Sequence, residues 1–331
     1  MYDIKYHDKD LSDFSFLVTG GAGFIGSNIV EYLLKNGAKK VRVLDNLATG
    51  RISNLDGFND NPAFEFINGD IRDLATCRKA CLGINYISHQ AALGSVPRSI
   101  KEPENTNAVN VDGFVNMLIA AKDEKVNKFV YASSSSVYGD EKSLPKVEER
   151  IGNPLSPYAV SKFTNELYAK VFQNVYGLQI TGLRYFNIFG PRQDPNGEYA
   201  AVIPLFVSKI MKREEVFIDG DGEQTRDFTF VENAVQANIK AMLAEDKTVE
   251  AGVFNIAVGE NFSVNGLYNE IQSLLGSDHK ATYRETRKGD VRNSLADISK
   301  AQAQIGYNPQ FYFGRGLTIT VDYFKEHFSR D

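Results

Sequence analysis

Phe16-Leu-Val-Thr-Gly20-Gly-Ala-Gly23-Phe-Ile-Gly26 is an apolar run that breaks into three evenly spaced glycines. Gly20 allows a sharp turn out of a strand, Gly23 lets bare backbone approach a pyrophosphate, and Gly26 lets the next helix lie close to the strand. The start of that helix offers unpaired N–H groups and a partial positive charge to phosphates. Nineteen residues after Gly26, the run Val41-Arg-Val-Leu-Asp45 ends on a carboxylate. An acid there takes both hydroxyls of an adenosine ribose and repels a 2′-phosphate, so the expected cofactor is NAD rather than NADP. The strand before, the helix after and the acid at this distance separate the pattern from an ordinary glycine loop.

The rest of the chain agrees with a soluble enzyme built on such a cradle. At 331 residues it exceeds one ordinary domain. Apolar content of 43% and charged content of 24% suit a globular protein, and no apolar run approaches the ~20 residues of a membrane span. A net charge of −5 argues against nucleic acid as the main partner. Residues 1–15 have neither the basic start nor the apolar stretch of a secretory signal, so a cytoplasmic location is expected. Cys77 and Cys81, four apart on an expected helix, suit buried thiols, and the four scattered histidines suggest no metal site.

Apolar runs recur at 41–44, 64–67, 84–88, 129–132 and 180–185, separated by stretches of helical period, with helices expected near 23–36, 104–123 and 158–177. This alternation predicts an α/β fold: a Rossmann-like doubly wound parallel sheet with a smaller C-terminal α/β substrate domain. After Tyr185 the turn-rich Asn187-Ile-Phe-Gly-Pro leaves the sheet, and Val253-Phe-Asn-Ile-Ala257 reads as a return to it. The expected division is residues 1–186 plus about 227–258 for NAD, and about 187–226 plus 259–331 for the substrate.

The run Phe129-Val-Tyr-Ala132 delivers Ser133-Ser-Ser-Ser136 to the end of a strand where open parallel sheets bind ligands. Downstream, Tyr158-Ala-Val-Ser-Lys162 opens a helix, and side chains four apart share one face. An ammonium beside a phenol stabilises phenolate and makes tyrosine a usable base near neutral pH. A serine of this run, Tyr158 and Lys162 therefore form the expected catalytic set for removing hydride from an alcohol. Tyr138-Gly-Asp-Glu-Lys142 has the same spacing but runs through Gly139 toward Pro145, which suits a turn.

Together, Thr19 to Gly26, Ser134 and Tyr158-x-x-x-Lys162 resemble the extended short-chain dehydrogenase/reductase family. Within it, the segments 89–98, 183–187, 192–197, 222–228 and 289–294 resemble bacterial UDP-N-acetylglucosamine 4-epimerases. The resemblance implies cofactor contacts from Gly20, Gly23, Phe24, Ile25, Gly26, Asp45 and Asn46, from Asp70 and Ile71 near adenine, and from Gln90, Ala91, Ala92, Asn110, Tyr158, Lys162 and Tyr185. It also implies substrate contacts from Ser95, Ser134, Ser135, Asn187, Ala201, Val202 and Ser294. Arg226 and Arg292 would pair with the two phosphates, and Asp290 would meet the uridine. Asn293 departs from the histidine of similar chains. Where related 4,6-dehydratases place an Asp-Glu pair, this chain has Ser135 and Ser136, so elimination lacks its acid and base.

The resemblance thus implies reversible oxidation at sugar C4 with NAD held throughout, interconverting UDP-GlcNAc and UDP-GalNAc and possibly UDP-glucose and UDP-galactose. A small residue at 294 leaves room for an N-acetyl group where UDP-glucose epimerases carry tyrosine. A 4-epimerase of UDP-N-acetylglucosaminuronic acid, a net sugar-nucleotide oxidoreductase and a non-catalytic nucleotide sensor are the alternatives. A homodimer through the helices near 104–123 and 158–177, and a setting in surface-polysaccharide synthesis, complete what it implies.

Overall fold

The computed structural model describes residues 1–196, 200–244, 252–286 and 292–328. Its first half runs β1 (Ser15–Thr19), α1 (Phe24–Lys35), β2 (Lys40–Asp45), β3 (Phe64–Asn68), α2 (Leu74–Cys81), β4 (Tyr86–His89), α3 (Val96–Lys101), α4 (Pro103–Asn107), α5 (Gly113–Asp123), β5 (Lys128–Ser134), α6 (Pro157–Tyr176) and β6 (Ile180–Tyr185). Beyond lie β7 (Ile188–Phe189), α7 (Val202–Met211), β8 (Val216–Asp219), β9 (Thr225–Arg226), β10 (Thr229–Phe230), α8 (Val231–Leu243) and β11 (Gly252–Ile256). The described chain ends with β12 (Phe262–Ser263), α9 (Val264–Leu275), β13 (Ala281–Arg284), α10 (Ser299–Ile305) and α11 (Phe313–Phe328).

Seven strands form one parallel sheet in the order β11-β6-β5-β4-β1-β2-β3. The expected α/β doubly wound fold is therefore the observed one, including the return to the sheet at Gly252–Ile256. Connection order reverses between β1 and β4, which opens a crevice beyond the carboxyl ends of those strands. One face of the sheet buries Ile29, Leu33, Val235 and Ile239 of α1 and α8; the other buries Cys77, Cys81, Phe114, Leu118 and Phe172 of α2, α5 and α6. Both cysteines are thus buried thiols. A separate core joins Phe206, Leu267, Phe313 and Leu317 of α7, α9 and α11 with Phe189, Phe228 and Phe230.

Local chemistry sets the boundaries. Ser156 caps α6 through the Ala159 N–H at 3.2 Å, Pro157 supplies a preset φ, and Gly177 at φ +71° ends the helix. The helix expected over 104–123 is divided: α4 and α5 flank a π-helical turn at Ala108–Asp112. The strand expected at 84–88 begins at Tyr86, because Ile84 still closes a turn onto Cys81 and the Asn85 side chain accepts from Ser15 N–H at 2.8 Å. The N-terminal residues look polar in sequence, yet Tyr2 and Tyr6 are buried against Tyr32 of α1.

Candidate active site

A cleft of about 530 Å³ opens at the reversal of strand order, lined by Gly20, Gly23 and Gly26 at one end and by Ser134, Tyr158 and Lys162 at the other. Gly20 takes φ +67°, and a Cβ there would lie 2.7 Å from Ala91 N. A Cβ on Gly26 would overlap the Gly20 carbonyl. One on Gly23 would meet only the Gly20 oxygen, at 3.1 Å, so backbone is what this wall presents. Gly23 begins α1 without a side-chain cap, leaving first-turn N–H groups for a ligand's phosphates.

Asp45 ends β2 with its carboxylate accepting from Ala22 N–H at 3.0 Å and Leu47 N–H at 2.8 Å. Burial pushes this carboxyl up, and those two N–H groups oppose the shift. Asp70 is held by the Arg72 guanidinium, which brings its carboxyl down to about 2, and it accepts from Asn46 Nδ2 at 2.9 Å. Phe24, Ile25, Ile71, Gln90, Ala91, Ala92 and Tyr185 line the same cleft. The Tyr185 hydroxyl donates to Gln90 Oε1 at 3.1 Å and accepts from Asn238 Nδ2 at 2.7 Å. The glycine wall, the uncapped helix start and the ribose-sized carboxylate together fit a dinucleotide.

Asn110 stands apart from the other expected cofactor residues. It is buried behind the wall, where its side chain accepts from Leu93 N–H at 2.8 Å and donates to Leu93 O and Ser161 Oγ. It sits on the π turn between α4 and α5 and is not among the residues that line the cleft.

The three residues expected to be catalytic line one cleft. Tyr158 and Lys162 lie one turn apart on α6, and Ser134 ends β5. The Lys162 ammonium donates to the Ala132 carbonyl at 2.8 Å, and burial pushes its pKa down to about 8. Burial also raises the Tyr158 phenol, and Ser134 opposes the shift. His89, packed at a tilt against Phe114 and Phe129 with Nδ1 2.8 Å from Thr19 Oγ1, is pushed down to about 3 by burial and then by Lys162, so it is neutral. Tyr138, the rival of equal spacing, is buried with its hydroxyl on Asn255 Oδ1 at 2.6 Å.

Substrate-side residues are placed less uniformly. Asn187, at φ +38°, lines the cleft and donates to the Asp227 carbonyl at 3.2 Å. Arg226 on β9 and Arg292 meet through the bond from Thr225 N–H to Arg292 O at 2.9 Å, beside Ser294, whose N–H donates to Thr225 O at 3.1 Å. Arg292 forms a two-pronged ion pair with Asp221 at 2.9 and 2.8 Å. Asn293 accepts from the Thr225 hydroxyl at 3.0 Å. Ser95 caps α3 through Arg98 N–H at 3.1 Å, Ser135 opens the short turn after β5, and Ala201 and Val202 start α7. Asp290 lies outside the described residues.

Sequence reasoning missed several cleft residues: Thr49, Gly50, Arg72, Asn105 and Gln193. Gly50 was recoverable in principle, since a Cβ there would come within 3.0 Å of Asp45 Oδ2, but a lone loop glycine carries no such label. Among the described residues no cluster of His, Cys, Asp or Glu is arranged for a metal, and no helix is long and apolar enough to cross a membrane.

Residues 16–257 match the model of the NAD dependent epimerase/dehydratase family. The chain is 39% identical over 313 residues to a putative UDP-glucose 4-epimerase of Methanocaldococcus jannaschii, covering 94% of this chain and 98% of that one. It is 41% identical to the UDP-N-acetylglucosamine 4-epimerase of Methanobrevibacter ruminantium, solved with UDP-N-acetylmuramic acid, at a TM-score of 0.89 over 95% and 99% of the two chains. A UDP-glucose 4-epimerase of Thermus thermophilus in complex with NAD is 34% identical, at a TM-score of 0.83 over 94% and 99%.

Proposed function

The chain belongs to the NAD dependent epimerase/dehydratase family, and from that membership we propose a UDP-N-acetylglucosamine 4-epimerase, interconverting UDP-GlcNAc and UDP-GalNAc and acting also on UDP-glucose and UDP-galactose. The observation that carries this reading is the convergence of Ser134, Tyr158 and Lys162 on the cleft that holds the glycine turn and Asp45. When bound, NAD accepts hydride from the sugar and returns it, so the reaction is redox-neutral.

The protein's own residues divide the remaining work. Gly20, Gly23 and the start of α1 hold the pyrophosphate, Asp45 takes the adenosine ribose, and Lys162 reaches the second ribose. Tyr158 removes the proton of the 4-hydroxyl, directly or through Ser134, and gives it back when the sugar has turned over its other face. Burial pushes the Lys162 ammonium down to about 8, within reach of neutral pH, but pushes the Tyr158 phenol up, so its use as a base requires positive charge beside it to oppose burial. Arg226 and Arg292 clasp the diphosphate, with Arg292 exchanging its partner Asp221 for phosphate oxygens. Asn187 and the start of α7 complete the nucleotide side.

We assign residues 1–186 and about 227–258 to the cofactor and the rest to the substrate. The outer face of α6 exposes Val160, Leu167, Val171 and Val175 at spacings of 7, 4 and 4, a stripe suited to the same helix of a second copy. We assign the chain to the cytoplasm as a homodimer.

Incubation with UDP-GlcNAc, UDP-glucose and their galacto epimers, followed by separation of products, tests the reading. Both pairs should interconvert without NADH accumulating. Ser294→Tyr should slow the N-acetylated pair at least tenfold more than the plain pair, because the added ring fills the acetyl space. Equal activity of that variant on both pairs would remove the specificity argument.

A further inference from the structure

Two consecutive residues at the end of β5 bond to α6, and the third shares its cleft. Ala132 O accepts from Lys162 at 2.8 Å, the Ser133 hydroxyl donates to Glu166 Oε1 at 2.6 Å, and Ser134 lines the cleft with Tyr158. On the helix, Tyr158, Lys162 and Glu166 are four apart and share one face. The function proposed above uses the first two and gives Glu166 no task.

Glu166 is set in place from the other side as well. Arg184 of β6 pairs with both its oxygens, at 2.9 and 2.8 Å, and the side chains are 2% (Arg184) and 8% (Glu166) exposed. Arg184 also donates to Glu148 O at 3.0 Å and lies over the Tyr138 ring at 4.9 Å. Ion pairs this dry gain little stability over apolar packing of equal volume. A carboxylate can do one thing here that hydrocarbon cannot: accept the short bond from Ser133 while Arg184 fixes its plane. Proton transfer needs a heavy-atom separation of roughly 2.6–3.2 Å, and a displacement of about 1 Å can cost a hundredfold in rate.

We propose that Glu166 is a positioning residue: through Ser133 and Arg184 it fixes the end of β5 against α6, and so fixes Ser134 against the Tyr158 hydroxyl. The inference rests on Tyr158 being the base. Its test compares the parent, Ser133→Ala, Glu166→Gln and the double variant, each purified with its bound NAD and assayed with UDP-GlcNAc. Ser133→Ala removes one hydroxyl and leaves the Glu166–Arg184 pair whole, so it folds even if Glu166→Gln does not. Expected for Ser133→Ala are a kcat at least tenfold lower, with KM, bound NAD and Tm close to the parent. Where Glu166→Gln folds, the double variant should be no slower than the slower single variant, because both cut one connection. An unchanged kcat for Ser133→Ala overturns the proposal. So does a loss of rate matched by a rise in KM or a loss of NAD, which would mark direct ligand contact by Ser133. A parent that never interconverts the epimers defeats the functional reading itself, and the inference falls with it.

Discussion

Lys162 carries opposed demands, since the proposed reaction wants its charge where burial disfavours one. A base of reference value 10.5 pushed down to about 8 by burial costs the folded state on the order of 3 kcal/mol while it is charged. The sign is set by proton binding: the unfolded chain holds the proton more tightly, so the cost is full below pH 8 and is relieved as pH rises toward 10.5. Lys162→Met should therefore abolish turnover yet raise Tm at pH 7, with the gap to the parent narrowing above pH 8 in thermal melts across pH. At this scale the sequence was informative where backbone or spacing forces the residue, as at Gly20, Gly26 and the Tyr158–Lys162 turn. Glu166 was illegible because a carboxylate four residues after a lysine on a helix reads as a surface pair, and Arg184 arrives from a separate strand.

The elements meet at Asp227, which is fully buried between β9 and β10. Its Oδ1 accepts from Val258 N–H at 3.1 Å, and its Oδ2 from Gly259 N–H at 3.1 Å and Ala296 N–H at 3.3 Å. One carboxylate thus ties the exit of β11 to the segments carrying Arg226 and Ser294. Burial pushes its pKa up to about 6, with those three N–H groups opposing. Asp227→Asn must turn an NH₂ group toward N–H donors on one side or the other, leaving buried donors unpaired. That should cost about 2–4 kcal/mol, read as a lower midpoint in urea unfolding. The same comparison explains which elements were legible. Helices and strands with a long apolar period fell within a few residues of their expected bounds. The π turn at Ala108–Asp112 did not: it coincides with Asn110 bridging Leu93 and Ser161, residues that the chain order keeps apart.

At the scale of the molecule, the parallel sheet was legible from alternation, while the unit around the separate core was not. Its strands are two to four residues long, too short for a period to register, and its core is assembled from segments between Phe189 and Phe324. The exposed stripe on α6 predicts association of two copies of the 36.8 kDa chain, and Val171→Asp should give monomers in light scattering at micromolar concentration. Oxidation and re-reduction of C4 within one cleft is tested most directly with UDP-GlcNAc deuterated at C4. The UDP-GalNAc formed should retain deuterium at C4, with none lost to water. Washout of the label, or its exchange with solvent protons during turnover, would contradict it.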